Sequence, residues 1–225
     1  VIWSSKLMQD EFVNTFKIDN SITKVLPNPV DLDLINNSIK NHIFNHPFMV
    51  SDKKIFVAAG RLTYQKGFDR LLQMFSIFLK KDNNAYLFIC GIGEDESKLK
   101  KIVTNLNIES NVIFLELLEN PWSLFSMADA FLLPSRWEGM PNVALESLAC
   151  GTKVISTSSS GGINEICSHN DSDSVTVVES QSEFIEEMHR IKIKTNRTLH
   201  SPLLPEKFNV INSTLLLETW IGDSG

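Results

Sequence analysis

Short apolar runs that stop at glycine or proline alternate with helix-patterned segments along the middle of this chain. No other feature limits its fold as strongly. Lys54 to Ala59 ends at Gly60, Ala85 to Cys90 at Gly91, and Ala130 to Leu133 at Pro134; Val112 to Leu115 and Lys153 to Thr157 complete the set. Such continuous runs suit parallel strands buried on both faces. Between them, residues 68–80 place Leu71, Leu72, Phe75, Phe78 and Leu79 at three-and-four spacing, the pattern of a core-facing helix. Residues 95–106 (with Leu99, Ile102, Val103 and Leu106), 121–127 and 142–150 also read as helices, with Pro121 suited to a first turn and Gly151 to a stop. Strand and helix in alternation predict an α/β fold, a doubly wound parallel sheet with helices on both faces. Ligands of such sheets bind outside the carboxyl ends of the strands. The loops after Ala59, Cys90, Leu115, Leu133 and Thr157 are therefore the ones to read.

The flanks differ from this pattern. Val1–Ser4, a helix near 7–16 and Thr23–Leu26 read as a small αβ unit, closed by Pro27-Asn28-Pro29. An irregular, linker-like stretch follows, rich in Asn36, Asn37, Asn41, His42, Asn45, His46 and Pro47. After Glu165 the sequence turns polar, then offers a short strand at 175–178 and helices over 183–191 and 206–220.

Composition excludes several functions. Lys and Arg number 21 against 27 Asp and Glu, a net charge of −6, which argues against a nucleic-acid partner. No apolar run approaches the roughly 18 residues of a membrane span. Cys90, Cys150 and Cys167 are odd in number and widely spaced, so a reducing, cytoplasmic setting is expected. The start at Val1, without an initiator methionine or a signal pattern, reads as part of a longer protein.

Four loops carry candidate chemistry. After the fourth strand, Glu138 lies in the loop and Glu146 stands eight positions on, inside the following helix. Between them, the backbone N–H groups of Gly139, Met140, Asn142 and Val143 gather at a helix start, an anion site by geometry and dipole; Pro141 removes a donor such a start can spare, and Gly139 permits close approach. This suits a phosphate bridge with hydroxyls at both ends, as in a nucleotide sugar. Solvated glutamates at a helix start would look the same. After the first strand, Gly60-Arg61 to Lys66-Gly67 sets two cations in a tight loop able to cradle a diphosphate, or simply solvated there. Gly91-Ile92-Gly93 begins like a dinucleotide fingerprint, but Glu96 stands where the third glycine belongs. Ser158 to Gly162 reads as a flexible loop facing the same crevice. His42 and His46 lack a carboxylate partner for a metal, and His169, His189 and His200 read as isolated and solvated.

Taken together, these pieces resemble the C-terminal half of the retaining GT-B glycosyltransferases of family 4, the glycosyl transferases group 1. The resemblance runs in order through Gly60-Arg61-Leu62 with Lys66-Gly67, Gly91-Ile92-Gly93, Pro134-Ser135-Arg136-Trp137-Glu138-Gly139 with Glu146, Ala149-Cys150-Gly151, and Gly161-Gly162 before Glu165. It implies a Rossmann-like nucleotide-sugar domain over 52–191, and Val25 to Asp31 resembles that family's interdomain connection. It implies further that residues 1–30 are a remnant of a mostly missing N-terminal domain, 31–51 a linker, and 192–225 a tail and closing helix. Trp3, Phe12, Leu216 and Trp220 would then face the missing domain.

By this resemblance Arg61 and Lys66 grip the donor diphosphate and Glu138 binds the donor sugar. The backbone of Gly139, Met140, Pro141, Asn142 and Val143 holds sugar and phosphate, Glu146 holds the ribose, and the loop at Leu118 meets the base, with Gly60, Gly91 and Gly93 lining the site. The donor would be a UDP- or GDP-sugar, with no cofactor and no metal. The acceptor, a glycan or a lipid-linked one, would be bound through the missing domain, with peripheral attachment to the inner face of a membrane as a further implication. A sugar-nucleotide epimerase, an NAD-binding oxidoreductase and a nucleotide-binding fragment without turnover are the competing readings.

Overall fold

The structure, a computed structural model, describes residues 1–49, 52–169, 173–197 and 201–222. Its centre is a six-stranded parallel sheet of β3 (Lys54–Ala59), β4 (Ala85–Cys90), β5 (Val112–Leu115), β6 (Ala130–Leu133), β7 (Val154–Thr157) and β8 (Val175–Val178). The order is β5-β4-β3-β6-β7-β8, all neighbours parallel. The chain winds outward from β3 in one direction, then returns to β6 beside it and winds the other way. The carboxyl ends of β3 and β6 therefore flank the topological switch point, where such sheets open a crevice.

The apolar runs are continuous because both faces are covered. Ile55, Val57 and Ala59 of β3 join one buried cluster, while Phe56 and Ala58 join the other. On the second face lie α3 (Phe68–Leu79), α4 (Glu96–Asn105) and α8 (Gln181–Arg190), with Leu71, Leu72, Phe75, Phe78, Leu99 and Phe184 buried. On the first lie α5 (Trp122–Met127), α6 (Asn142–Ala149) and α7 (Ile163–Ser168). At the amino ends of the strands, buried Asp129 accepts from Ile55 N–H at 2.6 Å and Lys194 N–H at 2.6 Å. Arg197 reaches both of its carboxylate oxygens, at 3.1 and 3.0 Å.

Three expectations need correction. The stretch after Pro29 is not irregular: α2 (Leu32–Asn41) occupies it, with Asp31 accepting from Leu34 N–H at 2.9 Å as an N-cap. Ile35 and Ile39, one turn apart, are buried in the first cluster and outweigh the poor helix propensity of the asparagines. Beyond it the chain straps across the sheet, with the rings of Phe44 and His46 against Phe88 at 6.1 and 5.2 Å. Second, the segment 158–162 is not an open loop: Ser158–Ser160 form a 3-10 turn, and the Thr157, Ser159 and Ser160 hydroxyls all donate to Ser135 O. Third, His189 is stacked on Phe78 at 4.5 Å and His169 contacts Lys207 Nζ at 2.9 Å, so neither is simply solvated. His200 lies outside the described residues.

At the amino end, β1 (Ile2–Trp3) and β2 (Lys24–Val25) pair in parallel beside α1 (Lys6–Phe16). The last helix, α9 (Val210–Gly222), follows a bridge between Val30 and Asn209. Trp3 packs on Phe12 at 4.5 Å, and Lys24 Nζ sits 4.7 Å from the Trp220 ring centre. Leu216 and its neighbours Ile211, Leu215 and Ile221 are solvent-exposed.

Candidate active site

A cavity of about 360 Å³ opens at the carboxyl ends of the strands. Its walls include Gly60 and Arg61 after β3, Gly91 after β4, Leu118 after β5, and Val143 and Glu146 on α6. Six residues singled out by sequence thus converge from three loops and one helix. Ala59, Cys90, Ile92, Leu117, Pro121 and Phe125 complete the lining. These were missed because their apolar character serves the core as well, and nothing in their spacing marks them as lining.

The glycines have a specific task. A methyl group on Gly91 (φ +144°) would sit 2.0 Å from Gly60 O, and one on Gly93 would sit 2.3 Å from Leu62 O. These residues let the first two strand-end loops lie against each other, which fixes the floor of the cavity. Gly91→Ala is expected to destabilise the fold by about 2 kcal/mol or more, read by urea unfolding, because positive φ and a backbone clash coincide.

Arg61 is exposed at the cavity rim, and among the described residues its guanidinium has no hydrogen-bond or ion-pair partner. Lys66 lies outside the lining and is engaged. Its Nζ is 2.5 Å from Glu138 Oε1, which also accepts from Ser135 Oγ at 2.7 Å. This ion pair spans the switch point, joining the β3 loop to the β6 loop. It leaves Glu138 with one oxygen, Oε2, outside these bonds. Beside it, Arg136 grips Asp69 with both nitrogens, at 2.7 and 2.8 Å, and lies 3.8 Å from the Tyr64 ring centre. Arg136 holds the carboxyl of Asp69 below its ordinary range. The two loops are thus clasped on their outer side as well.

Glu146 lies between this cavity and a smaller one of about 240 Å³, lined by Asn142, Trp122 and residues of the α2 entry. Its Oε2 accepts from Trp122 Nε1 at 3.1 Å. Burial raises the pKa of Glu146, and the indole bond offsets this only in part. A carboxyl whose folded pKa lies above the unfolded one favours folding when protonated, and that contribution is lost as pH rises through the folded value. Glu146→Gln is therefore expected to melt higher than the native chain at pH 7, with the gap closing as the pH falls toward 4. Thermal melts across that range check it.

Gly93, Gly139, Met140, Pro141 and Asn142 do not line the larger cavity. Met140 is buried, Pro141 caps α6, and Asn142 Oδ1 accepts from Asn28 Nδ2 at 2.5 Å. The space that a side chain would occupy at Gly139 is taken by Met8 of α1, whose Sδ would lie 2.6 Å from an added methyl. In the first turn of α6, Ala144 and Leu145 N–H donate to Pro141 O at 3.0 and 3.4 Å, while the N–H groups of Asn142 and Val143 have no partner within the helix. Among the described residues no group of three or more His, Cys, Asp or Glu is placed to hold a metal ion.

The fold and site together define a doubly wound α/β domain with a cation, a helix start and a partly buried carboxylate around a cavity at its switch point. The profile of the family described as "Glycosyl transferases group 1" matches residues 40–199, and the chain belongs to that family. An uncharacterized glycosyltransferase of Methanocaldococcus jannaschii is 35% identical over 155 residues, 67% of this chain and 37% of that protein. The N-acetylgalactosamine-N,N'-diacetylbacillosaminyl-diphospho-undecaprenol 4-alpha-N-acetylgalactosaminyltransferase of Campylobacter jejuni is 30% identical over 166 residues, 74% of this chain and 43% of that one. Among solved structures, Anabaena Alr3699/HepE in complex with UDP-glucose superposes with a TM-score of 0.81 at 20% identity, over 99% of this chain and 63% of that one. That likeness shows the GT-B fold. The chain spans well under half the length of these two curated relatives.

Proposed function

We propose that this chain is the donor-binding half of a retaining glycosyltransferase that moves a sugar from a nucleoside-diphosphate sugar to a glycan or lipid-linked acceptor. One observation carries the reading: Arg61, Glu146, Val143 and the glycine-floored loops meet around one cavity at the switch point, with Lys66 and Glu138 paired next to it. A diphosphate needs fixed positive groups where charge develops as the glycosyl bond breaks. Arg61 and the α6 start supply them without a metal. Glu146 would accept the ribose hydroxyls and Leu118 would face the base. Glu138 would bind sugar hydroxyls through Oε2, with Lys66 beside the diphosphate. Gly139, Met140, Asn142 and Val143 would contribute backbone N–H groups, Pro141 would pass beside them without a donor, and Gly60, Gly91 and Gly93 would shape the floor. Both glutamates bind rather than act as the acid and nucleophile of a hydrolase.

The acceptor would be held by residues beyond this chain, on a domain of which residues 1–30 are part; 31–51 would be the connection and 192–225 the returning tail. The exposed leucines and isoleucines of α9 support a covering partner there. The name of the Campylobacter relative supports a lipid-linked acceptor, and with it attachment at the inner face of a membrane. Among the described residues no helix is long and apolar enough to cross one.

Calorimetric titration of the 225-residue chain with UDP, GDP and ADP tests the reading. Weak binding of at least one nucleotide, unaffected by EDTA and lost in Glu146→Ala, is expected, together with no sugar transfer. Absence of binding to all three overturns the donor site, and robust transfer by this chain alone overturns the division into halves.

A further inference from the structure

Glu165 stands on α7 outside the cavity, yet it joins three separate parts of the chain. Its Oε2 accepts from the backbone N–H of Lys6 at 2.8 Å, and its Oε1 accepts from Lys207 Nζ at 2.8 Å. Its side chain is 12% exposed. Lys6 is the first residue of α1, whose N-cap Ser5 accepts through its side chain from Met8 N–H at 3.2 Å. The first turn of a helix leaves several N–H groups without partners inside the helix, and a carboxylate there is favoured by the dipole. Glu165 thus acts as a cap supplied from 159 residues away.

The consequence lies at the donor loop. The same end of α1 carries Met8, which fills the space over Gly139, and Leu7, whose Cδ2 would lie 3.4 Å from a methyl on Gly161. The start of α7 is in turn pressed against that loop from the other side. A methyl on Gly161 would sit 2.2 Å from Glu138 O, and one on Gly162 would sit 2.2 Å from Gly139 O. Glu138 and Gly139, Gly161 and Gly162, α7, Glu165 and α1 therefore form a closed ring of contacts, and the Glu165 carboxylate closes it.

We propose that Glu165 is a positioning residue for the sugar-binding loop: by capping α1 and holding Lys207, it seats Met8 on Gly139 and fixes where Glu138 stands. The placement rests on the geometry alone, while its effect on sugar rests on the function proposed above. Two readouts keep these apart. In amide hydrogen exchange on the ligand-free chain, Glu165→Ala is expected to speed exchange at least tenfold in peptides covering both 5–9 and 136–143, with β3, β4 and β6 unchanged. Glu165→Gln, which keeps an oxygen acceptor for Lys6 N–H, should restore most of the protection. In titrations with UDP-glucose and UDP as probes, Glu165→Ala should weaken the first at least fivefold more than the second.

Faster exchange confined to 5–9, faster exchange throughout the sheet, or a Glu165→Gln variant as open as Glu165→Ala overturns the placement. An exchange result as expected with equal loss for both probes leaves the placement standing and overturns the effect on sugar. If Glu165→Ala does not fold, Glu165→Gln and Lys207→Met decide. The first must match the native chain at 5–9, and the second must open 136–143 without exposing β3.

Discussion

Asp129→Ala is expected to lower the melting temperature of this chain by about 6–20 °C. Asp129 is the hub of a buried charge cluster. Its side chain is fully buried, Arg197 is 8% exposed, and the pair joins residues 68 positions apart. Arg197 also donates to Met127 O and Lys53 O at 2.6 Å each, and Lys194 Nζ donates to Ser126 O and Thr152 Oγ1. Removing the carboxylate leaves two cations facing each other without a counter-charge, the situation in which breaking a buried pair costs about 3–5 kcal/mol. For a chain of this size each kcal/mol moves the midpoint by about 2–4 °C.

The pH dependence has a definite sign. Burial pushes Lys194 down to about 8, while Asp129 pulls it up. Without Asp129 its pKa falls further, so the lysine can shed its proton in the folded variant at lower pH. The penalty of Asp129→Ala should therefore be largest below pH 7 and shrink as pH rises through about 8. Calorimetric melts at pH 6 and pH 9 check this. A penalty that grows with pH would show that Lys194 is not part of the cluster.

The sheet was legible because each central strand is apolar on both faces and ends in a residue that stops it. Phe56 and Val57 serve opposite layers, and Gly60 closes the run. α2 was not legible because the asparagines obscured the two signals that matter, the Asp31 cap and the Ile35–Ile39 stripe. α7 is a six-residue helix, too short for periodicity to register.

At the site, Arg61 and Glu146 were legible from their loops and from the resemblance. The Lys66–Glu138 pair was not, since the two residues are 72 positions apart and meet only because β6 returns beside β3. Trp122 escaped notice for a related reason: its bond to Glu146 depends on how α5 lies against α6, which no local pattern encodes. Local rules thus recover part of the lining of a crevice, while pairings across it depend on strand order.

On the donor site proposed above, loss of Arg61 should be the most damaging single change to transfer in the full-length protein. Among the described residues its guanidinium alone of the two loop cations has no partner, so it is available to a diphosphate without breaking anything. Removing one preorganised group of this kind commonly lowers kcat by about 100- to 1,000-fold, or roughly 2.7–4 kcal/mol. Arg61→Ala is expected to fall in that range. Lys66→Ala acts differently. It removes a cation, and it also leaves the Glu138 carboxylate, 8% exposed, uncompensated beside the incoming phosphates. The effects of Lys66→Ala and Glu138→Gln should therefore not add: neutralising Glu138 relieves the repulsion that loss of Lys66 creates. A coupling of about 0.5–3 kcal/mol is expected for residues in such contact. Steady-state kinetics on the two single variants and the double variant measure it. Additive losses would mean that the pair separates before the rate-limiting step and that Lys66 meets the diphosphate independently. A double variant that loses less than the sum would show that the ion pair across the switch point persists while the donor is bound.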